Sequence, residues 1–421
     1  MTASRRIFYG WWVVAVSALG LSLGFPTIIV YSFGVFIKPL VQELGATRGA
    51  VSFAFTLANL MVSICSPVVG SLTDRFGARK VVVTATALLA LLLISAPLLP
   101  ARIAALYLFY AAIGLVGNGS APIPYGRVVS SWFDRRRGLA LGCTLFGIGA
   151  GAIFMPSLCQ RLIPLVGWRY TYAIIAVVVL AIPVPMLALV MKDSPAETGE
   201  LPDGAPATRN DGQGGGAAAV KNVAALEGFT WPEARRTGIF WLMAVAVFLV
   251  AGSVHGCVLH LAPLLTDHHL PPEKVALAIT VLGSSLMIGR VGSGWLLDRF
   301  FAPRVGMCIF AAAACGIALL RFAADTALVY PGVFLVGMGM GAEVDVIAFL
   351  TSRYFGLRSL GEIYGYAFSS YTLAGALGPW LMGLGFDRFG SYNTVLMAFC
   401  AASLVSAALI APLGPYRFHP A

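Results

Sequence analysis

Gly70-Ser-Leu-Thr-Asp74-Arg75-Phe-Gly77-Ala-Arg79-Lys80 is a short charged loop between two long apolar stretches, and it returns about 224 residues later as Gly294-Trp-Leu-Leu-Asp298-Arg299-Phe-Phe-Ala-Pro-Arg304. Trp132-Phe133 and Tyr354-Phe355 keep nearly the same offset. The chain therefore reads as two related halves. The apolar residues around these loops lie in long runs, not in amphipathic stripes. The sequence is 59% hydrophobic and 11% charged over 421 residues, whereas a soluble domain carries roughly 25% charged residues. A helix needs about 20 apolar residues to cross about 30 Å of hydrocarbon. Twelve runs qualify, at roughly 10–36, 49–72, 81–99, 103–131, 139–161, 170–191, 238–263, 274–297, 305–322, 326–352, 362–385 and 392–413. Twelve such runs joined by short charged loops cannot all be buried in water, which excludes a soluble α protein. The fold class is all-α integral membrane, with twelve transmembrane helices in two pseudo-symmetric six-helix bundles.

The net charge of +10 invites a nucleic-acid partner, but its distribution rejects one. Loops on the side of the termini receive 18 basic residues and those on the other side 8. That bias places both termini in the cytoplasm, and no basic run with interleaved aromatics appears. Ser4-Arg5-Arg6 before an apolar stretch resembles the start of a signal peptide, yet the stretch is long enough to be an uncleaved first helix. The seven cysteines fall in apolar segments without pairing or ligand spacing and read as small packing residues. Residues 193–235, rich in Gly, Pro and Ala, read as a flexible cytoplasmic linker between an N-terminal bundle, 1–192, and a C-terminal bundle, 236–421. With six spans in each half, the halves share one orientation and are related by an axis along the membrane normal.

The repeated loop resembles the signature of the major facilitator superfamily between its second and third helices. The resemblance implies that Asp74, Arg75, Gly77 and Arg79, with Asp298 and Arg299 in the second half, form gates by charge-assisted contact with the opposite bundle. Phe301 replaces the central Gly of the second copy, so a weaker second gate is expected. Phe8-Tyr9-Gly10-Trp11-Trp12, Trp132-Phe133-Asp134-Arg135-Arg136-Arg137-Gly138-Leu139-Ala140 and Gly378-Pro379-x-Leu381-x-Gly383-x-x-x-Asp387-x-x-Gly390 are similar to the monocarboxylate transporters and the neighbouring oxalate/formate antiporters.

Four charges remain well inside the spans: Arg127, Arg290, Glu343 and Asp345. Each costs about 2.5–3.5 kcal/mol at mid-membrane on insertion scales, so such residues are paired or functional. Arg290 lies eight residues before Asp298, about 12 Å of helix from the membrane face. It is read as a carboxylate clamp, since a guanidinium offers paired donors and stays charged. The alternative is a permanent pair with Glu343 or Asp345. The resemblance supports the clamp, because monocarboxylate transporters carry a substrate-binding Arg in this helix. They also carry an acid one turn earlier, where this chain has Leu286, and a Lys late in the first helix, near Tyr31 here. Glu343 and Asp345, about 200° apart on a helix, are candidates for the missing proton site; a structural pair is the other reading. Free histidine titrates near neutral pH, so His255 and His260 are candidates to bind substrate or a proton. Tyr31, Asn118, Tyr125 and Tyr371 are candidate polar liners of the path. Arg127 reads as a helix lock or as snorkelling to the interface, and Gly24 with Pro26 suggests a kink in the first span.

The expected function is secondary transport of a small organic anion, a monocarboxylate above a dicarboxylate because the eleventh span carries no second cation, with the proton as coupling ion. Dicarboxylate exchange, a drug or sugar carrier, and a transporter-like sensor are the rivals. No nucleophile–base pair marks an enzyme, and no cofactor or metal is expected. Asp267-His268-His269 lacks a completed ligand set. A monomer in a bacterial cytoplasmic membrane is expected, the latter from the Ala, Gly and Arg content.

Overall fold

In hydrocarbon every backbone N–H and C=O must find a partner within the segment, so apolar runs of this length become helices. The computed structural model describes residues 8–204, 227–322 and 326–418, apart from the side chains of Arg48 and Pro272. Among them, ten helical stretches are long and apolar enough to cross a membrane. One of the ten, Arg137–Val190, contains two spans, and Leu360–Phe389 completes the set of twelve. The second to fourth spans are Arg48–Phe76, Ala78–Ile94 and Ile103–Trp132. The seventh to tenth are Gly238–Leu259, Pro272–Arg299, Ala302–Phe322 and Val329–Phe355, and the twelfth is Asn393–Ile410.

Three breaks shape the first half. The first span runs from Gly10–Ser22 through a π-helical turn, Pro26–Tyr31, into Phe33–Leu44. Pro26 lacks the N–H that an unbroken ladder needs there, and the expected kink falls at this point. The fourth span tightens into a 3₁₀ turn, Asn118–Ser120, before Pro122–Trp132. The fifth and sixth spans join at Gly167, whose φ of +76° turns the chain back.

The expected linker is ordered at both ends. Asp193 accepts the Arg79 backbone N–H at 2.8 Å, and Asp203 accepts those of Asp134 and Arg135 at 3.0 and 2.7 Å. Residues 193–204 therefore lie along the first half. On the second half, Phe229 N–H donates to the Phe355 carbonyl at 2.8 Å, and Trp231 stacks on Tyr366 with ring centroids 3.7 Å apart. Flexibility across 193–235 is thus corrected to two docked ends; 205–226 lies outside the described residues, as do Arg5, Arg6 and Ala421 at the chain ends.

The halves touch along two seams, the second span against the eleventh and the fifth against the eighth. Close approach at equivalent points requires glycine: a Cβ on Gly70 would meet the Gly361 backbone, and one on Gly138 would meet the Gly294 backbone. Ser63 and Ser369 exchange hydroxyl-to-carbonyl bonds of 3.0 and 2.5 Å near the middle of the first seam. Among the described residues, every hydrogen bond that crosses between the halves lies at that level or nearer the face carrying the termini. On the opposite side, Gly34, Gly49 and Gly283 face open space. The hydrogen bonds between the halves thus close the termini face.

Candidate functional site

The tenth span is buried throughout from Gly339 to Phe355 and packs along the eighth. That contact brings Arg290, Glu343 and Asp345 together. Arg290 is 2% exposed, and its Nε and Nη1 have no hydrogen-bond partner. Among the described residues no carboxylate comes within ion-pair distance of it. Glu343, Asp345, His255, Tyr364 and Tyr371 all lie within its electrostatic reach.

The two acids divide as their helical spacing requires. Glu343 points to the seventh span, where its Oε2 lies 3.9 Å from His255 Nδ1. His255 Nδ1 is 2.9 Å from the Ala251 carbonyl, and its Nε2 is 3.4 Å from the Tyr371 hydroxyl. Neither Glu343 oxygen has a hydrogen-bond partner. Asp345 points to the eighth span: Ser293 Oγ lies 3.0 Å from its Oδ2 and 3.1 Å from the Arg290 carbonyl. Tyr31, at the end of the π turn, is within electrostatic reach of Tyr371 and so brings the first half to the same cluster. A single guanidinium thus sits among two carboxyls, an imidazole and three phenols contributed by both halves. Such a site can take an anion on the guanidinium while a proton rests on an acid beside it.

Three other candidates are placed elsewhere. His260 bonds through both ring nitrogens, to the Tyr392 hydroxyl at 3.3 Å and the Pro379 carbonyl at 3.1 Å, and ties the seventh, eleventh and twelfth spans together. Asn118 is fully buried and donates to the Val62 carbonyl at 3.0 Å and Ser66 Oγ at 3.2 Å, bridging the fourth and second spans. Tyr125 is fully buried inside the first bundle, over Gly20 and beside Thr86. Two contributors lay outside the sequence-derived set. Tyr364 is seven residues, or about two turns, before Tyr371 and so on its face; Ser293 is three residues after Arg290.

The expected gates separate into parts with different tasks. Asp74 accepts the N–H groups of Gly361 and Glu362 at 2.9 and 2.8 Å and so caps the eleventh span across the seam. Asp298 accepts those of Gly138 and Leu139 at 2.6 and 2.8 Å and caps the fifth. Each carboxylate faces a helix N-terminus, where free N–H groups and the macrodipole favour negative charge. Arg127 Nε donates to Asp74 at 3.1 Å, so it is the lock. Gly77 has φ +89°, and a Cβ there would strike Asp193; Arg79 bonds Asp193 and the Ala188 carbonyl. These two hold the first half to itself. Arg75 and Arg299 are exposed and lie over the neighbouring rings of Phe76 and Trp295. Phe301 packs on Tyr416 at 5.1 Å and leaves the Asp298 cap intact, so the second cap has the same two bonds as the first. A further crossing went unread in the sequence: Arg353 donates to Asp134 Oδ1 and to its carbonyl, each at 2.6 Å, while Arg137 donates to Ser352 at 3.1 Å.

Known proteins show the same architecture. Mouse monocarboxylate transporter 11 is 26% identical over 95% of this chain and 87% of its own length. The uncharacterized transporter YcxA of Bacillus subtilis is 24% identical over 90% and 89%. The solved proton:xylose symporter XylE superposes with a TM-score of 0.73 at 15% identity, covering 97% of this chain and 96% of that one. The family model of the Major Facilitator Superfamily matches residues 10–379. With twelve spans in two bundles, seams closed at one face and a polar centre between them, this chain belongs to the major facilitator superfamily of membrane transporters.

Proposed function

We propose that the protein carries a small monocarboxylate anion across the membrane by alternating access, with a proton as the coupled ion. One observation carries the reading: Arg290 is buried at the junction of the halves without an acid in contact, and two of its nitrogens have no acceptor. A buried guanidinium left unpaired is costly, and an incoming carboxylate relieves that cost with a bidentate bond. Tyr31, His255, Tyr364 and Tyr371 complete the binding cluster, and Glu343 beside His255 is the proton carrier. His260, Asn118 and Tyr125 hold the bundles in shape. The likeness to mouse monocarboxylate transporter 11 supports the same substrate class.

The bias of basic residues places the closed face and both termini in the cytoplasm, so the site described here opens outward. The protein works as a monomer whose bundles, 1–192 and 236–421, rock about the seams. Purified protein in liposomes, tested with labelled short mono- and dicarboxylates and with sugars, settles the reading. Monocarboxylate uptake that acidifies the lumen is expected. Sugar uptake without carboxylate uptake would overturn the proposal, and carboxylate uptake without proton movement would overturn the coupling.

A further inference from the structure

The termini face holds a cavity rimmed by charged side chains, which the transport site does not use. It measures about 1060 Å³, just above the range of about 300–1,000 Å³ usual for small-ligand pockets. Its walls come from both halves. Arg135, Arg136 and Arg137 follow the fourth span, Arg353 ends the tenth, and Arg417 belongs to the C-terminal segment. Against these five arginines stand Asp134, Asp203 and Glu227. Asp134 is engaged by Arg137 and Arg353, and Asp203 by backbone N–H groups. Among the described residues, Arg135, Arg136 and Arg417 form no ion pair. Arg353 has a side chain 5% exposed, and its Nε lacks an acceptor. Like charges gathered in a concave, partly desolvated wall repel one another and attract a multivalent anion.

We propose that this cavity binds a phosphate ester, and that the bound ester holds this face closed. Guanidinium forks match phosphate oxygens bidentately. An anion reaching Arg135 and Arg136 on one half and Arg417 on the other adds a bridge beside the Asp134–Arg353 contact. The ester is supplied either by an anionic phospholipid headgroup or by a soluble phosphate compound. The inference is independent of the carboxylate reading, since none of these residues touches the Arg290 cluster.

The test uses the full chain in nanodiscs of neutral lipid. Phosphatidylglycerol is added in one arm and inorganic pyrophosphate in another, with sodium chloride at matched ionic strength as control. A melting temperature raised by about 2 °C or more over the control is expected, together with faster labelling of Gly283→Cys by an impermeant maleimide as the open-outward state gains population. The double variant Arg135→Gln/Arg136→Gln should keep its basal melting temperature and lose both responses. A response to phosphatidylglycerol alone assigns a lipid headgroup; a response to pyrophosphate as well assigns soluble phosphate compounds. No response in either arm, or an undiminished response in the double variant, overturns the proposal.

Discussion

Arg290 concentrates the chemistry at the level of single residues. Its guanidinium has free donors, with two phenols, an imidazole and two acids within reach. Arg290→Lys keeps the charge but removes the planar fork. Monocarboxylate uptake should fall at least about tenfold, the equivalent of about 1.4 kcal/mol, while the melting temperature holds within a few degrees. Retained uptake in a well-folded variant would remove the clamp. Glu343→Gln should separate binding from coupling: substrate still binds and exchanges, but a pH gradient no longer drives accumulation, as counterflow and gradient-driven uptake measured side by side would reveal. Asp345→Asn serves as the comparison, because its carboxyl is already held by Ser293.

Helix ends carry the closure at the level of elements. Asp298 holds two N–H groups of the fifth span at 2.6 and 2.8 Å, and loss of such a cap costs about 1 kcal/mol. Asp298→Ala should therefore raise the rate of opening toward the termini face roughly fivefold, measured by accessibility of a cysteine placed in that vestibule. An unchanged rate would show that the cap does not hold the seam. At the opposite face, Glu43 at the end of Phe33–Leu44 accepts Trp168 Nε1 at 2.5 Å and Arg169 Nη2 at 2.6 Å. Burial pushes its carboxyl up, but the bonds from Arg169 and Trp168 and the guanidinium charge bring it below the usual carboxylate range. A lowered folded value means that the contact stabilises above the unfolded value of about 4.3 and is lost as pH falls through the folded one. Glu43→Gln should thus melt below the parent at neutral pH, with the gap narrowing in acid. A gap independent of pH would deny the charge its part.

Two pseudo-symmetric caps join the halves of the molecule, one from each half and each gripping the other half. Removing both in Asp74→Ala/Asp298→Ala should shift the balance of open states by about 2 kcal/mol, roughly 30-fold. Impermeant labelling of Gly283→Cys, which faces open space in this state, should fall accordingly in a background lacking the native cysteines. Undiminished labelling would mean that the Asp134–Arg353 and Arg137–Ser352 contacts and the Ser63–Ser369 exchange set the state without the caps.

The sequence alone determined the membrane, the twelve helices and the pairing of the halves, because these follow from run length, spacing and composition, which are local properties of the chain. It also isolated Arg290, Glu343 and Asp345, since a charge within an apolar run is visible without coordinates. Three-dimensional packing decided what each charge meets. Arg127 turned out to serve Asp74 from 53 residues away, Arg353 to reach Asp134 across 219, and Tyr31 to approach Tyr371 from the other half. Gly77 proved to fit against Asp193 and not against the opposite bundle, so its replacement by Phe301 in the second copy left the cap whole. Helical periodicity gives the angle at which a side chain leaves its own helix. The neighbour it meets depends on how rigid helices cross, and that is set jointly by small residues such as Gly70, Gly138, Gly294 and Gly361 at four separate places in the chain.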